Sequence, residues 1–423
     1  MPPFPTISAL HAAYASGLGP REVLAETYRR LAAIDDPGIL LTLLPEAETF
    51  AAAALGPFDP TEKPLWGVPF AVKDNLDVAG LPTTAACPDF AFVPSETAPC
   101  VARLLAAGAI LIGKTNLDQF ATGLVGLRTP HPAPRNALNA DLVPGGSSSG
   151  SAVAVAHGLV AFALGTDTAG SGRVPAGLNN VVGLKPSLGS VSSRGLLPAC
   201  RTLDTVSVFA GTVADADRVF RIMAGYDAAD PYSRDLPVPT QPLGLPPGLR
   251  VGMPDAASLR FGGDPLSEAA FVAGLDGLAT LTGRPDAVDL APMFAIAALL
   301  YDGPWVAERY QAIRPLIERS PQALHPTTRA VIAGPRPLLP PTPSLASTGW
   351  PSCAGPPTPC GSTSTYWWCR PTRGRSPAPN LKSIRSAPTA NSGPTQTSSI
   401  CSTSARSRCR AASGPTACRR ASR

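Results

Sequence analysis

The chain has no uninterrupted apolar run near the ~18 residues a membrane span needs. Its opening stretch, MPPFPTISALHAAYASGLGP, lacks the basic start and apolar block of a signal peptide. These absences predict a cytoplasmic chain with no membrane partner. Charge is also sparse: Asp, Glu, Lys and Arg make up 15% of the 423 residues, against 44% apolar. That balance suits a soluble globular protein with a sizeable core. None of the nine cysteines forms a C-x-x-C pair, and the three in the first 335 residues, Cys87, Cys100 and Cys200, are scattered. No metal, no cofactor and no required disulfide are therefore expected. Only four histidines are present, His11, His131, His157 and His325, and none stands in a triad motif. His157 reads as a packed or surface residue rather than a base.

Acid is missing altogether from the end of the chain. The last acidic residue is Glu318, and from Arg336 to Arg423 there are 11 Arg and one Lys with no Asp or Glu. Removing those twelve from the 35 basic residues leaves 23 against 30 acidic residues, a net of −7, so the formal charge of +5 joins two unlike materials. Residues 1 to 335 read as one domain. Residues 336 to 423, rich in Pro, Ser, Thr, Arg and Cys and without helix or strand period, read as a disordered tail. A basic tail that binds nucleic acid is one account of it. Out-of-frame translation of a GC-rich gene is the favoured one, because six cysteines and Trp350, Trp367 and Trp368 are odd in a natural tail.

Within the first 335 residues strands alternate with helices, which argues an α/β architecture. Thr6 to Leu55 reads as helical with a break at Asp36-Pro37-Gly38, and EAETFAAAALG as a second helix ending at Gly56. The run LWGVPFAVKDNLDV (65–78) is β-rich, 97–107 a short amphipathic helix, AILIGK (109–114) a buried strand, and TNLDQFATGLVG (115–126) a helix. Next come the small-residue helix SGSAVAVAHGL, the strand VAFALGTD and the tight loop TAGSGR. A helix at 213–223, a surface excursion at 226–247, a strand at 249–253 and a helical region carrying Tyr301 and Arg309 complete the pattern.

Chemistry concentrates between Pro144 and Arg173, PGGSSSGSAVAVAHGLVAFALGTDTAGSGR, where serines stand beside glycines in two loops. Such loops turn backbone N–H groups toward a substrate oxygen. By residue type, Lys73, Ser147 and Ser171 compose a serine nucleophile activated through a second serine by a lysine. A lysine serves as base only when neutral, so its pKa must fall from ~10.4 by roughly three units, a cost of ~4 kcal/mol that burial can supply. Taken alone, Lys73 reads as an exposed strand-end lysine, and Arg309 as a helix-surface arginine.

At these residues the sequence resembles the amidase signature family. Ala71-Val72-Lys73-Asp74, Gly145 to Ser151 and Gly165 to Arg173 match its VKD, GGSSxGS and GTDTxGSxR patterns, with Ser147 and Ser171 at the family's separation of 24 positions. The resemblance implies a large mixed β-sheet flanked by helices on both faces, a domain continuing past residue 335, Ser171 as nucleophile, Ser147 as bridging serine after a cis peptide, and Lys73 as base. It also implies an oxyanion hole in the backbone amides of Thr168, Ala169, Gly170 and Ser171, with Asp167 and Arg173 bracing that loop. Segments such as Asn116 to Gly126, Ser171 to Pro175, Asn179 to Pro186 and Pro198 to Asp204 resemble the allophanate hydrolases within the family. That implies Tyr301 and Arg309 as binders of a substrate carboxylate, with Gly123 and Ser148 at the substrate, and a small-molecule amide as partner. A homodimer is compatible with this reading, and nucleic acid is disfavoured as a partner. If the tail is out of frame, the domain lacks its end and the chain is expected to be weak or inactive.

Overall fold

The computed structural model describes residues 5–238 and 249–332. Its centre is a mixed six-stranded sheet built from β1 (Leu40–Leu43), β2 (Pro69–Lys73), β3 (Ile110–Thr115), β4 (Phe162–Thr166), β5 (Val182–Leu184) and β6 (Val206–Ala210), in the order β1-β3-β2-β4-β6-β5. β2 runs parallel to both β3 and β4, whereas β1, β5 and β6 pair antiparallel with their neighbours. A small parallel pair, β7 (Gly252–Pro254) and β8 (Asp286–Val288), lies apart from it.

Every residue of β2, β3, β4 and β6 is buried, which is why these strands read as continuous apolar runs rather than alternating ones. Successive side chains still go to opposite faces. Phe70, Val72, Phe162, Leu164 and Val208 point to one core, with Leu10, Leu104 and Val219 from the helices Ile7–Ala15, Pro99–Ala106 and Val213–Met223. Ala71, Ala163 and Phe209 point to the other, against Ala152 and Val153 of the helix Ser149–Ala156 and Leu24 of the helix Pro20–Ile34. The alanines on both sides of that second layer let the short helix settle close to the sheet. Helices thus cover both faces, as the resemblance implies.

Three expectations give way to the structure. Residues 115–126 contain no α-helix, only a single turn of 3₁₀ helix at Gln119–Ala121, with Phe120 and Ala121 in the left-handed region (φ 53° and 51°). The cause is Asp118, whose buried carboxylate accepts from the amides of Gly126 (3.0 Å) and Arg128 (2.8 Å) and so wraps the chain around itself. The helical stretch at the N-terminus is three helices, Ile7–Ala15, Pro20–Ile34 and Glu46–Ala52, with β1 inserted before the last. The strand placed at 249–253 is Gly252–Pro254. No helix among the described residues is long and apolar enough to cross a membrane. The segment 336–423 lies outside the described residues.

Candidate active site

Because β2 and β4 are parallel neighbours, with Val72 opposite Leu164, both deliver their last residues to the same edge of the sheet. β2 ends on Lys73 and β4 on Thr166. The third contributor is the segment Gly146–Ser148, which leads into the helix Ser149–Ala156 through a cis peptide between Gly146 and Ser147. Gly146 is obligatory there: a Cβ on it would lie 2.0 Å from Asp118 Oδ2 and 2.6 Å from the Gly126 nitrogen. The carbonyl of Ser147 accepts from the amide of Asp118 (2.9 Å), which ties the serine loop to the wrapped loop below it.

Lys73 is fully buried, not an exposed strand end. Its Nζ donates to Ser147 Oγ (2.7 Å), Thr166 Oγ1 (2.8 Å) and Ser148 Oγ (2.9 Å). Burial among neutral hydroxyls lowers its pKa to about 7, against the opposing pull of Asp118, Asp204 and Asp167. The amine is thus poised to exchange a proton near neutrality. Asp74, next in the chain, serves the scaffold: it faces Lys114 Nζ at 3.1 Å and accepts from the Thr84 amide and hydroxyl, locking the end of β2 to β3.

The loop from Asp167 to Gly172 carries Ser171. Asp167, fully buried, accepts from the amides of Gly170 (2.7 Å), Gly172 (3.1 Å) and Arg173 (3.1 Å) and from both ends of the Arg173 guanidinium (2.9 and 3.1 Å). Burial alone would raise this carboxyl, but Lys185 and Arg173 beside it hold it well below the usual carboxylate range. Lys185 Nζ also takes the carbonyls of Asp167 and Thr168, each at 2.9 Å, turning them away from the site. Among the described residues no acceptor faces the amides of Thr168, Ala169 and Ser171, while that of Gly170 is engaged by Asp167. Ser171 Oγ likewise has no hydrogen-bond partner among the described residues, and its carbonyl accepts from the Ser148 amide (3.2 Å). Buried Asp204 accepts from the Thr168 hydroxyl and from the amides of Ala199 (2.8 Å) and Cys200 (3.0 Å).

Ser148 sits beneath the lysine rather than at an open surface, with its hydroxyl between Lys73 and the backbone of Thr166. Gly123 is packed so tightly that a Cβ would lie 2.5 Å from Asp118 Oδ2. Arg309 is 3% exposed, not a surface arginine. Its Nη1 donates to Thr122 Oγ1 (3.0 Å), next to Gly123, its Cζ lies 5.6 Å from the ring centre of Tyr301, and its Nε has no partner among the described residues. Tyr301 and Ala169 both pack against the buried cluster of Cys200, Leu300 and Trp305, so the helices Ala291–Asp302 and Trp305–Arg319 lie against the same cluster as the Ser171 loop. Asn75, Asp118, Thr166 and Asp204 are members of this cluster that the sequence patterns did not single out. All four nevertheless lie inside or next to the segments that carried the resemblance.

The site thus sets a buried lysine among serine hydroxyls beside a loop of unengaged amides, on a mixed sheet with helices on both faces. Residues 22–329 match the family model described as Amidase, and the chain belongs to that family. It is 48% identical over 275 residues to the urea amidolyase of Saccharomyces cerevisiae, an alignment covering 64% of this chain and 15% of that protein. The solved allophanate hydrolase of Kluyveromyces lactis superposes with a TM-score of 0.74 at 38% identity, covering 83% of this chain and 57% of the other. The glutamyl-tRNA(Gln) amidotransferase A-type subunit of Prochlorococcus marinus is 45% identical over 194 residues, which are 45% of this chain and 40% of that protein. In each case the chain spans less than two thirds of the relative's length.

Proposed function

We propose that the chain is an amidohydrolase of the serine–serine–lysine type and that its substrate is allophanate, the carboxylated urea. Ser171 Oγ attacks the amide carbonyl, its proton passes through Ser147 to neutral Lys73, and the oxyanion is met by the amides of the Thr168–Ser171 loop. The proton returns to the leaving nitrogen, ammonia departs, and water cleaves the acyl-enzyme by the same relay. The observation that carries this reading is the lysine: a fully buried amine, with its pKa drawn down to about 7, hydrogen-bonded to Ser147. Arg309 supports the carboxylated substrate, because a buried guanidinium with an unpartnered Nε suits the second oxygen of a carboxylate.

Ammonia release from allophanate, malonamate, simple neutral amides and glutamine tests the assignment. Allophanate and malonamate are expected to be turned over with the highest kcat/KM. Arg309→Met is expected to lower it for both by about 10²-fold or more while sparing neutral amides. A preference for glutamine would favour the amidotransferase-type reading, which the likeness to the A-type subunits supports. The pH dependence has a defined sign. Lys73 acts as base only when unprotonated, so kcat/KM is expected to rise with pH through about 7 and then level, and Lys73→Met is expected to remove that limb with the activity.

A further inference from the structure

The three hydroxyls around Lys73 are not equivalent, because Ser148 is bonded onward to an acceptor and Thr166 to a donor. Ser148 Oγ donates to the Thr166 carbonyl (3.1 Å), so toward Lys73 it can only accept. Thr166 Oγ1 accepts from Asn75 Nδ2 (3.2 Å), and the identity of that nitrogen is settled because the same atom lies 3.3 Å from the Leu197 carbonyl, which can only accept. Asn75 is itself held, 1% exposed, with its main-chain carbonyl accepting from the Leu197 amide (2.8 Å). The Thr166 oxygen is therefore fixed in place as the third neighbour of Nζ, between the amine and the Asn75 amide.

We propose that Thr166, pinned by Asn75, is a positioning residue for the base: it takes one N–H of the neutral Lys73 amine while Ser148 takes the other, which leaves the lone pair aimed at Ser147. The protonated amine then donates to all three hydroxyls, so the same cage receives the proton without moving. This rests on Lys73 being the base. The charged groups that act on the amine are Asp118 in the loop after β3, Asp167 in the loop after β4 and Asp204 before β6, all favouring its protonated form. A change confined to Thr166 leaves those three in place.

The test is the rate at which an alkyl fluorophosphonate labels Ser171 in the full chain, measured against pH. In that step the Ser171 Oγ–P bond forms, the P–F bond breaks, fluoride leaves, and the hydroxyl proton passes through Ser147 to Lys73. Thr166→Val removes one of three acceptors of the protonated amine. It is expected to move the midpoint of the labelling profile down by about one pH unit and to lower the plateau about tenfold. Thr166→Ser is expected to restore both. Asn75→Ala is expected to slow the plateau about threefold in the parent and to add nothing in the Thr166→Val background, because the two act as one unit. A Thr166→Val profile that keeps the parent midpoint overturns the proposal, and so do additive losses in the double variant. If Thr166→Val does not fold, Thr166→Ala takes its place with the same midpoint criterion. Failure of the underlying reading looks different: Ser171→Ala would still be labelled, or Lys73→Met would keep the parent's pH limb.

Discussion

Ser171→Ala is expected to lower amide hydrolysis by about 10⁴-fold or more and to abolish covalent labelling by acylating or phosphonylating reagents, with the fold intact. Only the hydroxyl is lost, and it has no hydrogen-bond partner among the described residues, so little stability goes with it. What remains is the set of unengaged amides at Thr168 and Ala169 and the lysine behind Ser147. These can still bind and polarise a carbonyl but have no atom to bond to its carbon. Intact-mass measurement after labelling is the readout, and a labelled alanine variant would put the nucleophile elsewhere.

Asp167→Ala is expected to have the largest effect on stability, about 3–5 kcal/mol. The carboxylate accepts three backbone amides, pairs bidentately with Arg173 and faces Lys185, so its loss takes the carboxylate partner from a nearly buried guanidinium and frees the loop that carries Ser171. Chemical denaturation should show a lower midpoint at unchanged slope. Activity should fall as well, because the amides are aimed by that loop. The pH dependence separates this from loss of packing alone. Asp167 stays ionised in the folded chain well below the usual carboxylate range. Its contribution is therefore present above about pH 4 and fades as pH falls below it, and Asp167→Asn should flatten that acid-side loss of stability.

Much of this was legible from residues alone, and what was not has a definable cause. β2, β3 and β4 stood out because strands buried on both faces are unbroken apolar runs. β1, by contrast, is only Leu-Leu-Thr-Leu between helix-forming stretches, and only its pairing with β3 makes it a strand. Residues 115–126 carry a helical spacing of apolar residues, yet one buried carboxylate at Asp118 outweighs it. Lys73, Ser147 and Ser171 are singled out by the patterns around them. Thr166 and Asn75 are not, since their bearing on the lysine arises from the register of β2 against β4 and is not visible along either strand.

That register also has a kinetic side. Nζ of Lys73 meets hydroxyls 74, 75 and 93 positions further along the chain, and β1 pairs with β3 some 70 residues away. Each such closure costs chain entropy before any contact repays it, and parallel pairing across long crossovers is slow. The hydroxyl cage is accordingly expected to form late in folding, once the β2–β4 ladder is in place. Substitutions that loosen that ladder far from the serines should therefore silence the chemistry while much of the secondary structure is still intact.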